Sequence, residues 1–145
     1  MLHGSDLVIK TVEQIKNGTT KTSPQEENSE IRTAYKLNKD NCKIDWTKPI
    51  DAIHNLVRGL SPYPAAWSTL YNNEEKLDVK IYKTEKLIEL HSYTIGQAIV
   101  SKKELKIAVK EGFIKILEIK LPGKRTMDVI SLLNGFNFEK DAKML

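Results

Sequence analysis

Residues 68–90 read STLYNNEEKLDVKIYKTEKLIEL, and the period of that stretch decides the fold. Leu77, Val79 and Ile81 alternate with charged residues, which is the two-residue period of a strand with one face against a core. The Asn72-Asn73 pair supplies turn chemistry between a short strand before it and the longer strand after it. Downstream, GQAIV (96–100), ELKIAVKEG (104–112) and FIKILEIKLP (113–122) repeat the pattern. Their expected inward sets are Leu105, Ile107 and Val109, then Ile114 and Ile116. Leu117 and Ile119 fall out of phase with the last set, which predicts a bulge. Gly112 marks a tight hairpin. Five or six short strands within about 55 residues predict a mainly β domain, a small closed or partly open antiparallel barrel.

Helical patterns flank the strands. TMDVISLLNG (126–135) predicts a C-terminal helix capped by Thr126, burying Met127, Ile130 and Leu132 or Leu133. Upstream, Pro49 suits a first helical position with Thr47 as its cap. Ile50, Ile53, Leu56 and Val57 form the apolar stripe of a helix leading into the barrel, ended by Gly59. SPYPAAW (61–67) is too rich in proline for a helix or a central strand and predicts a rigid extended connection. Trp46 and Trp67 are expected as core anchors at either end of this joint, with Asp45 and Arg58 paired across it. Residues 5–16 predict a further helix, capped by Ser5 or Asp6 and stopped by Gly18, whose stripe of Leu7, Val8, Thr11, Val12 and Ile15 has no obvious cover within the chain. Residues 17–31 are almost free of apolar side chains and read as a linker.

Composition narrows the function classes. Hydrophobic residues make up 40% and charged residues 29%, a globular balance, and no apolar run approaches the roughly 20 residues of a membrane helix. The opening MLHGSDLVIK lacks the pattern of a signal peptide, so a cytoplasmic protein is expected. One cysteine, Cys42, excludes an internal disulfide and a cysteine metal cluster; a small buried side chain is its expected role. His3, His54 and His91 fall on different predicted elements, and His54 is expected to pack half-buried beside its helix stripe. No Walker loop, HExxH or GxSxG is present, and no catalytic or metal-binding residue is assigned.

Charge is uneven. Residues 1–31 carry three Lys against five acids, residues 32–60 six basic against three acidic, and residues 101–125 eight basic against three acidic. Two basic blocks suggest a polyanion partner. Lys106 and Lys110 share the face of their strand opposite the apolar set, a spacing that can follow a phosphate backbone. Tyr82, Tyr93 and, more weakly, Phe113 are candidates for base stacking.

Several motifs then resemble one family. CKIDW (42–46), VRGLSPYPAAW (57–67) and LEIKLPGKRTMDVISLLNGF (117–136), with SPQ (23–25) and AYKL (34–37), are similar to the C-terminal domain of the methionyl-tRNA formyltransferase family. Tyr35 stands where that family usually has Pro, Ala65 where it often has Gly, and Lys120-Leu121 where Gln is common before the Pro. The resemblance implies an open Greek-key barrel like the oligonucleotide-binding folds. It implies residues 1–16 as the last helix of an upstream catalytic domain, 17–31 as a linker and 32–145 as the tRNA-binding domain. By position it carries over Lys36, Lys39, Lys43, Arg58, Lys124 and Arg125 as tRNA-facing residues, to which the charge pattern adds Lys106 and Lys110. The partners implied are initiator methionyl-tRNA and the upstream domain. The cofactor implied, 10-formyltetrahydrofolate, serves an Asn-His-Asp constellation in that upstream domain, so this chain alone is expected to be inactive. The alternatives are a C-terminal domain of a related enzyme acting on an amino sugar or a folate, and a barrel that only docks proteins.

Overall fold

The fold follows from the alternation in β2, which runs Glu75–Ile88 and pairs on both sides. A computed structural model describes residues 2–24 and 34–145. It divides into two compact units, Met1–Tyr35 and Lys36–Leu145. Residues 25–31 of the expected linker lie outside the described residues.

The first unit contains α1, Leu2–Lys16. The helix starts earlier than the sequence suggests, so Ser5 and Asp6 sit within its first turns instead of capping it. Gly18, at φ 64°, ends it as expected. Leu7, Val8, Ile9, Val12 and Ile15 are each more than half exposed.

In the second unit, β1 (Ala66–Asn72) pairs antiparallel with β2 through a two-residue turn in which Asn73 takes φ 57°. After a long connection, β3 (Ala98–Val100), β4 (Leu105–Val109) and β5 (Gly112–Lys120) form successive hairpins, and β5 returns to lie beside β2. Three hairpin-linked strands with a fourth beside the last make a Greek key. β6 (Met127–Asp128) pairs with β5. The last strand, β7 (Lys143–Met144), pairs with β1, and a bridge from Lys143 to Gln97 brings the two ends of the sheet together. The barrel is nearly closed, and closure leaves few unpaired strand edges.

Apart from Leu77, which is only partly buried, the predicted inward set lies in the core. Leu70, Val79, Ile81, Leu105, Ile107, Val109, Ile114, Ile116 and Ile119 are fully buried. Each such aliphatic side chain contributes roughly 1.5–3 kcal/mol on burial. The bulge is present: pairing of β2 with β5 shifts on either side of Lys83, opposite Glu118, and this returns Ile119 to the core side. Gly112 is needed because a Cβ there would collide with the Leu87 carbonyl oxygen.

Helix α2 (Ile50–Leu60) packs Ile53, Val57 and Leu60 on β1, β2 and β5 and runs one residue past Gly59. Thr47 is not its cap. It donates its N–H (3.0 Å) and hydroxyl (2.6 Å) to Asp45 Oδ1, and the first helical N–H, from Ile50, is accepted by Glu111 Oε2 at 3.0 Å. The expected Asp45–Arg58 pair does not form. Asp45 precedes α2 while Arg58 lies in its last turn, and the helix rises about 12 Å from Ile50 to Arg58. Arg58 donates to Asn55 Oδ1 at 3.2 Å instead, and Lys48 stands 3.9 Å from Asp45.

The C-terminal helix, α3 (Val129–Leu133), is shorter than predicted because residues 127–128 are spent on β6. Its cap is Asp128, which accepts the Ser131 N–H at 2.9 Å, and not Thr126. Val129 and Leu132 are buried, whereas Ile130 points outward and is half exposed.

Candidate nucleic-acid interface

Trp67 organises the basic surface, and it does so from the outside of the barrel. Trp46 is the buried anchor the sequence predicts, donating its indole N–H to Ser68 Oγ at 2.9 Å. Trp67 is one residue out of phase with the buried set of β1, so its ring lies half-buried on the outer face. Its indole N–H is accepted by the Lys39 carbonyl at 2.7 Å, and the ammonium groups of Lys39 and Lys43 stand 4.7 and 5.4 Å from the ring centroid. Cations at that distance from an indole face are attracted by the ring's quadrupole. The approach segment is thereby pinned to β1, aided by the bond from the Ile44 N–H to the Trp67 carbonyl at 2.8 Å.

From Trp67 the register defines a row. Trp67 is opposite Lys80 on β2, and Lys80 is opposite Lys120 on β5; the neighbouring row of Ala66, Ile81 and Ile119 is fully buried. Trp67, Lys80 and Lys120 therefore share the outer face, spanning about 10 Å across two strand spacings. At the β5 end the chain passes into the exposed turn of Pro122, Gly123, Lys124 and Arg125. Two groups of residues that the sequence could only carry over separately, Lys39 with Lys43 and Lys124 with Arg125, are thus joined by Lys80 and Lys120. Among the described residues Lys43, Lys80, Lys120, Lys124 and Arg125 take part in no ion pair within 4 Å, while Lys39 is held 3.2 Å from Asp78. Asp78 is kept ionised below the usual carboxylate range, chiefly by the Thr69 hydroxyl bond and then by Lys39.

The other expected residues lie elsewhere. Lys36 is exposed at the start of the unit. Arg58 borders a cleft with His54, Tyr82, Lys83 and Glu118. Lys106 and Lys110 stand on or beside β4, on the far side of β5 from Lys80. They do not form an open stripe, because Ala108 between them is fully buried and Lys106 lies half-buried, 5.2 Å from the Phe113 ring. Lys110 is exposed in the hairpin turn. Of the stacking candidates, Phe113 is withdrawn: it is buried against His91, with ring centroids 4.4 Å apart. Tyr93 is half exposed and Tyr82 partly so. The most exposed aromatic of this unit is Tyr63, at 86%, and the only sequence signal for it is its position between two prolines.

His54 and His91 serve packing, whereas His3 is exposed on α1. His54 Nδ1 lies 2.9 Å from Thr84 Oγ1. His91 Nε2 is within 2.9 Å of the Val109 and Gly112 carbonyls, and its Nδ1 accepts the Tyr93 N–H at 3.1 Å. Cys42 is buried. His54 Nδ1 and both ring nitrogens of His91 are committed to neighbours in the barrel, which does not fit a formyl-transfer centre. Among the described residues no cluster could hold a metal ion, and no helix is long and apolar enough to cross a membrane.

A nearly closed Greek-key barrel with a lysine row across its outer face places the chain in the class of oligonucleotide-binding-like barrels. Comparison with known proteins narrows the class. Residues 36–137 match the model of the formyl transferase C-terminal domain, and the chain belongs to that family. It is similar to proteins named methionyl-tRNA formyltransferase: 56% identical to that of Flavobacterium johnsoniae, 49% to that of Flavobacterium psychrophilum and 43% to that of Bacteroides fragilis. These matches cover 97–98% of this chain and 45% of each relative. The chain thus spans about half the length of the curated relatives it matches.

Proposed function

We propose that this chain is the tRNA-holding C-terminal part of a methionyl-tRNA formyltransferase. The complete protein would transfer a formyl group from 10-formyltetrahydrofolate to the methionine amino group of initiator methionyl-tRNA, with the chemistry in an upstream domain. The carrying observation is the outer row Trp67–Lys80–Lys120, continuous at its ends with Lys39 and Lys43 and with Lys124 and Arg125. Unpaired lysines on one face offer phosphate contacts without base reading, so this surface supplies affinity and orientation. Holding a large substrate in register is a real part of the rate, since misplacing the reacting amine is costly.

A filter-binding titration of the purified chain with initiator tRNA tests the reading. Neutralising about four or five phosphates predicts an affinity that falls roughly 10²–10³-fold between about 50 and 200 mM salt. Lys80→Glu and Lys120→Glu should each weaken binding and flatten the salt slope by about one phosphate. Salt-independent binding, or full affinity in both variants, would sink the proposal. A second expectation is that the chain alone shows no formyl transfer; turnover by the purified chain contradicts the division of labour.

A further inference from the structure

Beside the lysine row lies a groove of about 560 Å³, lined by Leu37, Lys39, Tyr63, Pro64, Trp67 and Lys80 among others. That volume falls within the roughly 300–1,000 Å³ of small-molecule sites. Its floor is apolar, including the buried Cys42 and Ala65, and its rim is cationic. Tyr63 is 86% exposed, yet its loop is well held. Prolines flank it on both sides and restrict the backbone. The Pro64 carbonyl accepts from Lys80 Nζ at 3.1 Å, and the Ala65 N–H is bonded to the Leu60 carbonyl at 2.9 Å. An aromatic ring presented to solvent on a pinned loop loses little freedom when something stacks on it.

We propose that this groove seats one unpaired nucleotide of the bound RNA, its base stacked on Tyr63 and its phosphate on Lys80 and Lys39. The inference rests on the tRNA reading above and adds to it a specific element, a single-stranded nucleotide, where the lysine row alone would accept any phosphate backbone. Charge complementarity argues for the occupant. Lys39 and Lys80 outnumber Asp78, and Asp78 is already satisfied by Lys39 and the Thr69 hydroxyl. Lys80 spends one of its three N–H groups on Pro64, which leaves two for a phosphate oxygen. Stacking tolerates any base, so the site selects for unpaired geometry more than for sequence.

Fluorescence anisotropy with the whole chain separates the possibilities, using a labelled single-stranded RNA tetramer, a blunt RNA hairpin whose two strands are joined by a non-nucleotide linker, and initiator tRNA. Tyr63→Ala should weaken the tetramer by roughly tenfold, from the loss of one stacked base, and leave the blunt hairpin unchanged. Tyr63→Phe should keep the parent affinity, because the ring does the stacking. Melting curves of both variants confirm that the barrel is intact. Equal tetramer affinity in Tyr63→Ala and parent overturns the nucleotide seat while the tRNA reading stands, provided tRNA still binds with the expected salt slope. Equal losses for tetramer and hairpin also overturn it, since Tyr63 would then be acting through the general surface. A Tyr63-dependent affinity for a proline-rich peptide, with all RNA affinities unchanged, assigns the groove to protein docking and overturns it. No binding of any of the three RNAs overturns both readings together.

Discussion

Glu111, in the turn between β4 and β5, accepts the N–H of Ile50, the first residue of α2, at 3.0 Å across 61 positions of sequence. The helix that leads into the barrel is therefore capped by the barrel itself. A carboxylate at a helix N-terminus satisfies an orphan donor and meets the positive end of the helix dipole.

Removing that cap should loosen the helix and leave the sheet in place. Glu111→Ala is expected to lower stability by about 1 kcal/mol, and Glu111→Gln by less because the amide oxygen still accepts. Urea midpoints with unchanged slopes check this. A neutral Glu111→Ala result means that the Ile50 N–H is served by water.

Barrel closure depends on a glycine facing the last strand. Gly96 takes φ 85°, and a Cβ there would lie 2.5 Å from the Met144 carbonyl oxygen. Gly96→Ala must strain the backbone or push β7 away, at a cost of about 1–3 kcal/mol. Amide exchange should rise first at Met144, Leu145, Thr69 and Ala98, whose N–H groups bond to Gly96, Thr69, Leu145 and Ala142 respectively. Uniform exchange across the chain, with no excess at those four amides, contradicts a local opening.

Ala65 adopts φ 72°, in the left-handed region that favours glycine, with its side chain buried. Relief of left-handed strain in Ala65→Gly, about 1–2 kcal/mol, is offset by the lost methyl burial and the added freedom of the unfolded chain. The variant should melt close to the parent. Ala65→Val, with a branched Cβ in the same conformation, should lose more than about 2 kcal/mol. Equal melting temperatures for Val and Ala at this position would disprove the strain.

Acid sensitivity should include a step from Asp128. The Ser131 backbone N–H, and then its hydroxyl, hold the Asp128 carboxyl below its ordinary value of 3.8. A carboxylate with a depressed folded pKa contributes stability that is complete above its unfolded value and is lost as pH falls through the folded one. Melting temperature should therefore be insensitive to this group from about pH 5 upward and decline below about pH 4. Asp128→Asn, which still caps α3, should keep most of the neutral-pH stability and shrink the acid step. If the acid profiles of Asp128→Asn and parent superimpose, the linkage is absent.

The barrel is legible because β2, β4 and β5 each hold a run of apolar residues on one face while lysines and acids recur on the other, and alternation survives in sequence wherever that is so. Leu105, Ile107, Val109, Ile114 and Ile116 were all placed correctly on that basis, and the break at Leu117 revealed the bulge. At Thr47 the local hydroxyl is visible in sequence whereas the distant acceptor, Glu111, is not; at Thr126 the two-residue strand β6 moves the helix start onward, so that Asp128 becomes the cap. Strand β7 was not foreseen: two residues carry no period, and only the space between β1 and Gln97 gives Lys143 and Met144 a place to pair.

The basic surface divides in the same way. Sequence by itself determined that lysines cluster in two blocks, that the strands alternate, and that the chain carries no recognisable catalytic motif, since composition and period are properties of the chain alone. Which lysines form one surface was decided only by tertiary structure. Trp67, Lys80 and Lys120 come from three separate strands, and cross-strand register, which depends on turns and a bulge, sets them in line. Trp67 shows the limit most plainly. Its size suggested an anchor in the core, but being one residue out of phase with Ala66 and Ser68 puts it on the outer face, under two lysines. In a strand, position parity outranks hydrophobicity in deciding which way a side chain points.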